Sequence, residues 1–342
     1  MFQDCEKATQ SIELEQYIIA NDSLGQKFLK LFIEKAKQGI KVFVICDYYG
    51  SQSLAHSGHV KELRAVGGQF YFYHSLGVLR HLWPKKWFPR THVKTLLVDS
   101  AIAYTGGVCL AERMRNWRDT QIRITGPATA QVKRAFDDIE NAFTHQKSAK
   151  IKNKKYISDE FTYLQSSPVS LSHRIYRELI WALGSAGNHI YVSTAFFAPN
   201  RRFRRTLIKA QARGVKVILL GPIKSDVILA DWLCLSYASS LLKAGVKIYR
   251  YQQPVLHNKT VVIDNRWATV GSTNMDILSF FLNRESNLII KNSDAIAELK
   301  QQFFNDLQQS EELTLEQLKK RALWVKIIGY LARIVKSFLW RS

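Results

Sequence analysis

Cysteine is scarce and scattered in this chain of 342 residues. Cys5, Cys46, Cys109 and Cys234 show neither disulfide pairing nor metal-ligand spacing, so the sequence argues against a disulfide framework, offers no zinc site and points to a reducing compartment. Proline is scarce too, at seven residues, while 46% of the chain is apolar; there is enough to bury a large core in one or two domains. No uninterrupted apolar run reaches the length of a membrane span. The opening "MFQDCEKATQ" is polar and the following "SIELEQYIIA" carries two glutamates, so no secretory signal is expected. Acidic residues are also few, 28 against 49 lysines and arginines, for a net charge of +21. That excess says little about fold but points to phosphate-rich partners, either nucleic acid or anionic lipid.

What the chain does contain is a repeated pattern. "RTHVKTLLVDSAIAYTGG" (90 to 107) and "LHNKTVVIDNRWATVGSTN" (256 to 274) superimpose without a gap: His92 on His257, Lys94 on Lys259, Asp99 on Asp264, Gly106 on Gly271. In an extended chain the histidine and lysine share one face, giving a small cationic platform in each copy. The flanks repeat as well. "EKAKQGIKVFVICD" matches "KAQARGVKVILLGP", and "LRAVGGQFYFY" matches "LLKAGVKIYRY"; each reads as a helix end, a glycine and a buried strand. Downstream, Asp119 in "WRDTQIRITG" and Glu285 in "NRESNLIIKN" open strands at matching distances. An internal duplication is the economical reading.

Alternating helix and strand patterns predict an α/β fold: two domains related by a pseudo-twofold axis, each a mixed, mostly parallel sheet flanked by helices. The expected division is 1–147 for the first domain, a lysine-rich linker at 148–165, the second domain at 166–310, and a C-terminal amphipathic helix at 311–342.

Two histidines and two lysines meeting across such an axis suit a phosphodiester. Lysines neutralise the non-bridging oxygens, one histidine attacks phosphorus, and the other protonates the leaving alcohol. A carboxylate on the far ring nitrogen sets the tautomer and supports the imidazolium; Asp119 and Glu285 are the candidates. The lysines supply the positive charge, so no metal or other cofactor is expected. His56 and His59 have no acidic or cysteine partner nearby and read as a solvated helix start, not a metal site.

The doubled His-x-Lys-x4-Asp followed by Gly-Gly or Gly-Ser resembles the phospholipase D superfamily. "YTGG", "HNKTVVIDNRWATVGSTNMD" and "LNRESNLII" resemble its bacterial cardiolipin synthases. The resemblance implies two phospholipase D-like domains and a membrane-associated phosphatidyltransferase. It would join two phosphatidylglycerols into cardiolipin and glycerol through a phosphatidyl-histidine, peripheral on the cytoplasmic side of the bacterial membrane. It implies a catalytic set of His92, Lys94, Asp99, His257, Lys259 and Asp264, with His92 as nucleophile and His257 as acid/base. Asp99 and Asp264 each precede a turn and suit a structural role, capping backbone amides. Asn274, Ser272 and Gly107 are the expected phosphate contacts, joined by the lysines. Cys109 stands where the second copy has Asn274, and a thiol is a poorer donor than an amide. Hydrolysis of phospholipids, or nuclease action by the same chemistry, is the alternative activity; a lipid-binding relative without activity is a third. The lipid enzymes match more closely, so nucleic acid is not the expected partner.

Two segments fit a membrane surface. Residues 313–342 form a basic amphipathic pattern with Lys319, Lys326, Arg333 and Lys336 on one side and Trp324, Leu331 and Phe338 among the apolar positions. The loop "LRHLWPKKWFPR" (79–90) mixes cations with Trp83, Trp87 and Phe88 ahead of the first histidine. A helix packed on the domain core and an ordinary surface loop are the competing readings.

Overall fold

The computed structural model describes residues 1–74, 89–144, 155–157, 160–168, 173–223, 228–253 and 255–320. The first half opens with helix α1 (Phe2–Glu6), then runs β1 (Ser11–Gln16), α2 (Ser23–Lys37), β2 (Lys41–Asp47), α3 (Gly58–Ala65), β3 (Gln69–Tyr73), β4 (Lys94–Val98), β5 (Ile102–Gly106), β6 (Gln121–Thr125) and α4 (Thr129–Thr144). The second contains β7 (Lys155–Ile157), β8 (Phe161–Ser166), α5 (Arg174–Gly184), β9 (His189–Thr194), β10 (Phe197–Ala198), α6 (Arg201–Ala212), β11 (Lys216–Pro222), α7 (Ile228–Lys243) and β12 (Lys247–Tyr251). It continues with β13 (Lys259–Ile263), β14 (Trp267–Gly271), β15 (Met275–Asp276), β16 (Glu285–Ile290), α8 (Ser293–Gln308), β17 (Ser310–Glu312) and α9 (Leu315–Lys319).

The first sheet has the order β3-β2-β1-β4-β5-β6, and the larger second sheet repeats it as β12-β11-β9-β13-β14-β16, flanked by β17 on one side and β8-β7 on the other. The duplication read from the motifs therefore extends to the whole sheet. Helices α2 and α6 both end on a glycine with positive φ, Gly39 at 81° and Gly214 at 89°, a conformation a side chain resists.

Two expectations need correction. The sheets are mixed, but not mostly parallel. In the main sheets only β1-β2, β2-β3, β9-β11 and β11-β12 run parallel, where helical crossovers join the strands. The next strands are joined by short hairpins through Asp99-Ser100 and Asp264-Asn265, all four at φ of 52 to 55°, and so tight a connection permits only antiparallel pairing. The stretch expected as linker, 148–165, also contains β7 and most of β8, which pair with each other and with β16. Tyr163 is buried at 1% exposure, so β8 belongs to the core and not to a linker.

Alternation divides each sheet's side chains between two layers. In the first, Ile12, Leu14, Val42 and Val44 face α2 and α3, whereas Phe43, Ile45 and Leu97 face the other half. In the second, Ile190, Val192 and Leu219 face α5, α6 and α7, while Tyr191, Ile218, Leu220 and Leu288 meet the first half together with residues of α4 and α8. The two halves thus share a continuous apolar core, each fully buried leucine or isoleucine contributing about 1.5–3 kcal/mol. Among the described residues no helix is long and apolar enough to cross a membrane. Most of the 79–91 loop and residues 321–342 of the tail lie outside the described residues.

Candidate active site

The strands that carry the two motifs meet at the axis. The backbone N–H of His92 donates to Arg284 O at 2.8 Å, and that of His257 donates to Arg118 O at 2.8 Å. Arg284 N and Arg118 N in turn donate to Arg90 O and Val255 O at 2.7 and 2.9 Å. Each histidine is therefore stitched to the residue preceding the other half's carboxylate. The side chains cross in the same way: His92 Nδ1 lies 3.0 and 3.1 Å from the two oxygens of Glu285, and His257 Nδ1 lies 2.6 Å from Asp119 Oδ2. With the carboxylate on Nδ1–H, the tautomer leaves Nε2 basic.

Lys94 and Lys259 are each 1% exposed, and each Nζ donates to the carbonyl of its own motif histidine, at 2.7 Å for Lys94. Burial lowers the Lys94 ammonium below its usual range, and burial with the nearby Lys94 charge brings Lys259 to about 8. Burial also drives His92 well below its ordinary value, with both lysines adding to it, and takes His257 to about 4 against the pull of Asp119. The carboxylates diverge. Burial raises Glu285 to about 7, with Lys94 opposing it; burial raises Asp119 too, but Lys259 and His257 outweigh it and hold its pKa below the usual range. The centre is thus a buried, lysine-lined site in which both imidazoles favour the neutral form, the charge pattern that a phosphodiester anion would complete.

The remaining expected residues divide. Asn274 is 3% exposed, and its Oδ1 has no partner among the described residues. Cys109, at the matching position, is buried among Ile18, Ala111 and Tyr17, and burial raises its thiol pKa. Ser272 is not free for a phosphate: its hydroxyl donates to Glu285 and accepts from Ser286 N. Gly107 is likewise committed, its N–H donating to Thr120 O at 3.0 Å, and a Cβ there would lie 2.0 Å from Asp119 Oδ1. Ser272 instead holds Glu285 through its hydroxyl, and Gly107 leaves the space that Asp119 fills. Asp99 and Asp264, included in the expected catalytic set, lie past the far ends of β4 and β13. Asp99 accepts from the amides of Thr9, Gln10 and Ser11, and Asp264 from Gly187, Asn188 and His189. A five-residue strand, ~16 Å long, separates them from the lysines, which accounts for a structural role.

Sequence reading missed the anchors behind this pocket. Arg284, fully buried, makes a two-pronged pair with Glu15 of the first half at 2.7 and 3.1 Å, and Arg118 reaches Asp306 of the second at 2.6 Å. Their only sequence signal was an arginine immediately before each carboxylate. Tyr17 and Trp117 set rings against His92 and His257 at 4.9 and 5.2 Å. The one acidic trio among the described residues close enough to hold a cation, Glu13, Asp137 and Glu140, is paired with Lys41 and Lys133.

A family profile described as "Cardiolipin synthase, PLD-like domain" matches residues 1–140 and 179–307. The chain belongs to this family. A cardiolipin synthase of Clostridium perfringens (strain SM101 / Type A) is 31% identical over 99% of this chain and 74% of its own length. One from Staphylococcus aureus (strain Mu50 / ATCC 700699) is 32% identical over 99% and 71%. Among solved structures, phosphatidylserine synthase of Haemophilus influenzae Rd KW20 superposes with a TM-score of 0.75 at 14% identity, covering 99% of this chain and 91% of that one. Polyphosphate kinase of Porphyromonas gingivalis gives 0.64 at 13%, over 98% of this chain and 50% of that one. At those identities the structures attest the shared two-domain fold alone.

Proposed function

We propose that this member of the cardiolipin synthase family transfers a phosphatidyl group from one phosphatidylglycerol to a hydroxyl of a second, with His92 as nucleophile and His257 as acid and base. The observation that carries the reading is the crossed pair of carboxylate-bound histidines flanked by two buried lysines. Neutral His92 attacks phosphorus through Nε2. The P–N bond forms as the P–O bond to the headgroup glycerol breaks, and His257 gives its proton to the departing alkoxide. A hydroxyl of the second lipid then yields its proton to His257 and attacks phosphorus, releasing His92 and completing cardiolipin. Lys94, Lys259 and Asn274 hold the phosphate oxygens, and an anion bound there raises the His257 pKa toward working pH.

The Asp119 carboxylate, held below its usual pKa, is the better support for an imidazolium, which favours His257 as the proton carrier. Glu285, near neutrality, leaves His92 as the uncharged nucleophile. On this reading the enzyme works peripherally at the cytoplasmic face of the bacterial membrane, with the 313–342 tail and the 79–91 loop as its proposed contacts.

Lipid mass spectrometry after incubation with phosphatidylglycerol vesicles tests the assignment. Wild type is expected to yield cardiolipin and glycerol, and His92→Ala and His257→Ala neither. Phosphatidic acid without cardiolipin would make water the acceptor, and nicked DNA without lipid turnover would make the protein a nuclease.

A further inference from the structure

The second half carries an outer face that the chemistry does not use. Between residues 173 and 213 the sequence has eight basic residues and one acid, Glu178, and α6, "RRFRRTLIKAQA", has no acid at all. Arg201, Arg202, Arg205 and Lys209 are exposed and pair with no carboxylate among the described residues. They border a cleft against α5, whose Ile180 and Gly184 line the other wall. On α5, Arg177 and Trp181 are exposed one turn apart, and Trp181, at 62%, is one of two large apolar side chains left so exposed among the described residues.

The two helices run side by side in the same direction. Asn200, at the start of α6, donates to the Tyr176 hydroxyl near the start of α5 at 2.8 Å; past the far end of α6, Arg213 donates to the carbonyls of Gly184 and Ala186. Their starting end is the site end: β10, just before α6, pairs with β15, which directly follows Asn274.

We propose that the α5–α6 face rests on an anionic bilayer and brings phospholipid headgroups to the rim of the active site. This deepens the lipid reading above and rests on it. Unpaired arginines along one helix attract anionic headgroups, and a tryptophan beside them is suited to the headgroup level of a membrane interface. A nucleic acid backbone shares the negative charge but does not explain the aliphatic wall and the exposed indole.

The test is sedimentation of the full chain with phosphatidylcholine vesicles, with and without phosphatidylglycerol. Wild type is expected to partition onto the anionic vesicles and to be released by salt. The triple variant Arg201→Gln/Arg202→Gln/Arg205→Gln is expected to lose at least ~tenfold in partitioning, and Trp181→Ala ~threefold to tenfold. Both variants are expected to keep wild-type turnover of phosphatidylglycerol dispersed in detergent micelles, where docking is unnecessary, and this also reports that they fold. Partitioning equal to wild type would overturn the proposal, as would duplex DNA binding that the triple variant loses while vesicle binding stays intact. Lost partitioning in variants whose urea unfolding matches wild type, in a protein that turns over no lipid even in micelles, would uphold the face and sink only the catalytic reading.

Discussion

The two halves build the same pocket wall with different pairs of residues. On the first-half side a short carboxylate, Asp119, sits against Gly107; on the second, Glu285 is one methylene longer and is held by the Ser272 hydroxyl. Topology is duplicated strand for strand, while electrostatics is not: one carboxylate is held below its ordinary pKa and the other rises to about 7. Symmetry supplies two equivalent places for histidine, and the supporting carboxylates set them in different electrostatic surroundings.

That contrast would break first at the carboxylates themselves. Interchangeable halves would lose equally from Asp119→Asn and Glu285→Gln. The expected result is unequal, with kcat falling ~10²- to 10⁴-fold for Asp119→Asn and about tenfold for Glu285→Gln, read as cardiolipin formed in mixed micelles.

The anchoring arginines give the next contrast. Glu15→Gln leaves Arg284 a buried charge without its partner and is expected to cost about 3–5 kcal/mol in urea unfolding. Asp306→Asn removes the partner of Arg118, whose side chain is 25% exposed, and is expected to cost about 1 kcal/mol.

Exchanging the small residues sharpens the comparison. Gly107→Ser forces Asp119 away from His257 and is expected to lower kcat by ~10²-fold, whereas Ser272→Gly removes one hydrogen bond from Glu285 and is expected to cost ~tenfold. The pH dependence of stability separates the carboxylates again. The folded-state pKa of Glu285 lies above its ordinary 4.5, so its neutral form favours folding; that contribution is complete below pH 4.5 and is lost as pH rises through about 7. Asp119 has the opposite sign, its contribution being present above its ordinary 3.8 and lost as pH falls below it. Between pH 5 and 8 the melting temperature of Glu285→Gln is therefore expected to decline less than that of wild type. The smallest effect expected is at Cys109→Asn, which restores an amide donor beside Lys94 and should lower KM by ~twofold to fivefold.

Much of this arrangement was legible because chemistry and strand periodicity both leave marks in sequence. The gapless His-x-Lys-x4-Asp repeat announced the duplication and the pocket, and Asp99 and Asp264 announced their turns by standing at strand ends. The crossing was not legible: nothing local to Glu285 records that it faces His92 and not His257, because that pairing is decided by how the halves dock. Strand direction was misread because a strand buried on both faces is a continuous apolar run whether its neighbours are parallel or antiparallel. The stretch at 148–165 resembled a linker through its lysines, although Tyr163 and Leu164 already carried the signal of a strand.

The crossed hydrogen bonds also constrain descent. Neither half holds a histidine together with the carboxylate that serves it, so a single half acquires a complete reaction centre only by meeting another. A chain that carries both copies supplies both at once, and the copies are inherited as one unit. A substitution at Glu285 acts on a histidine encoded 193 codons upstream, so selection on either copy is also selection on the other.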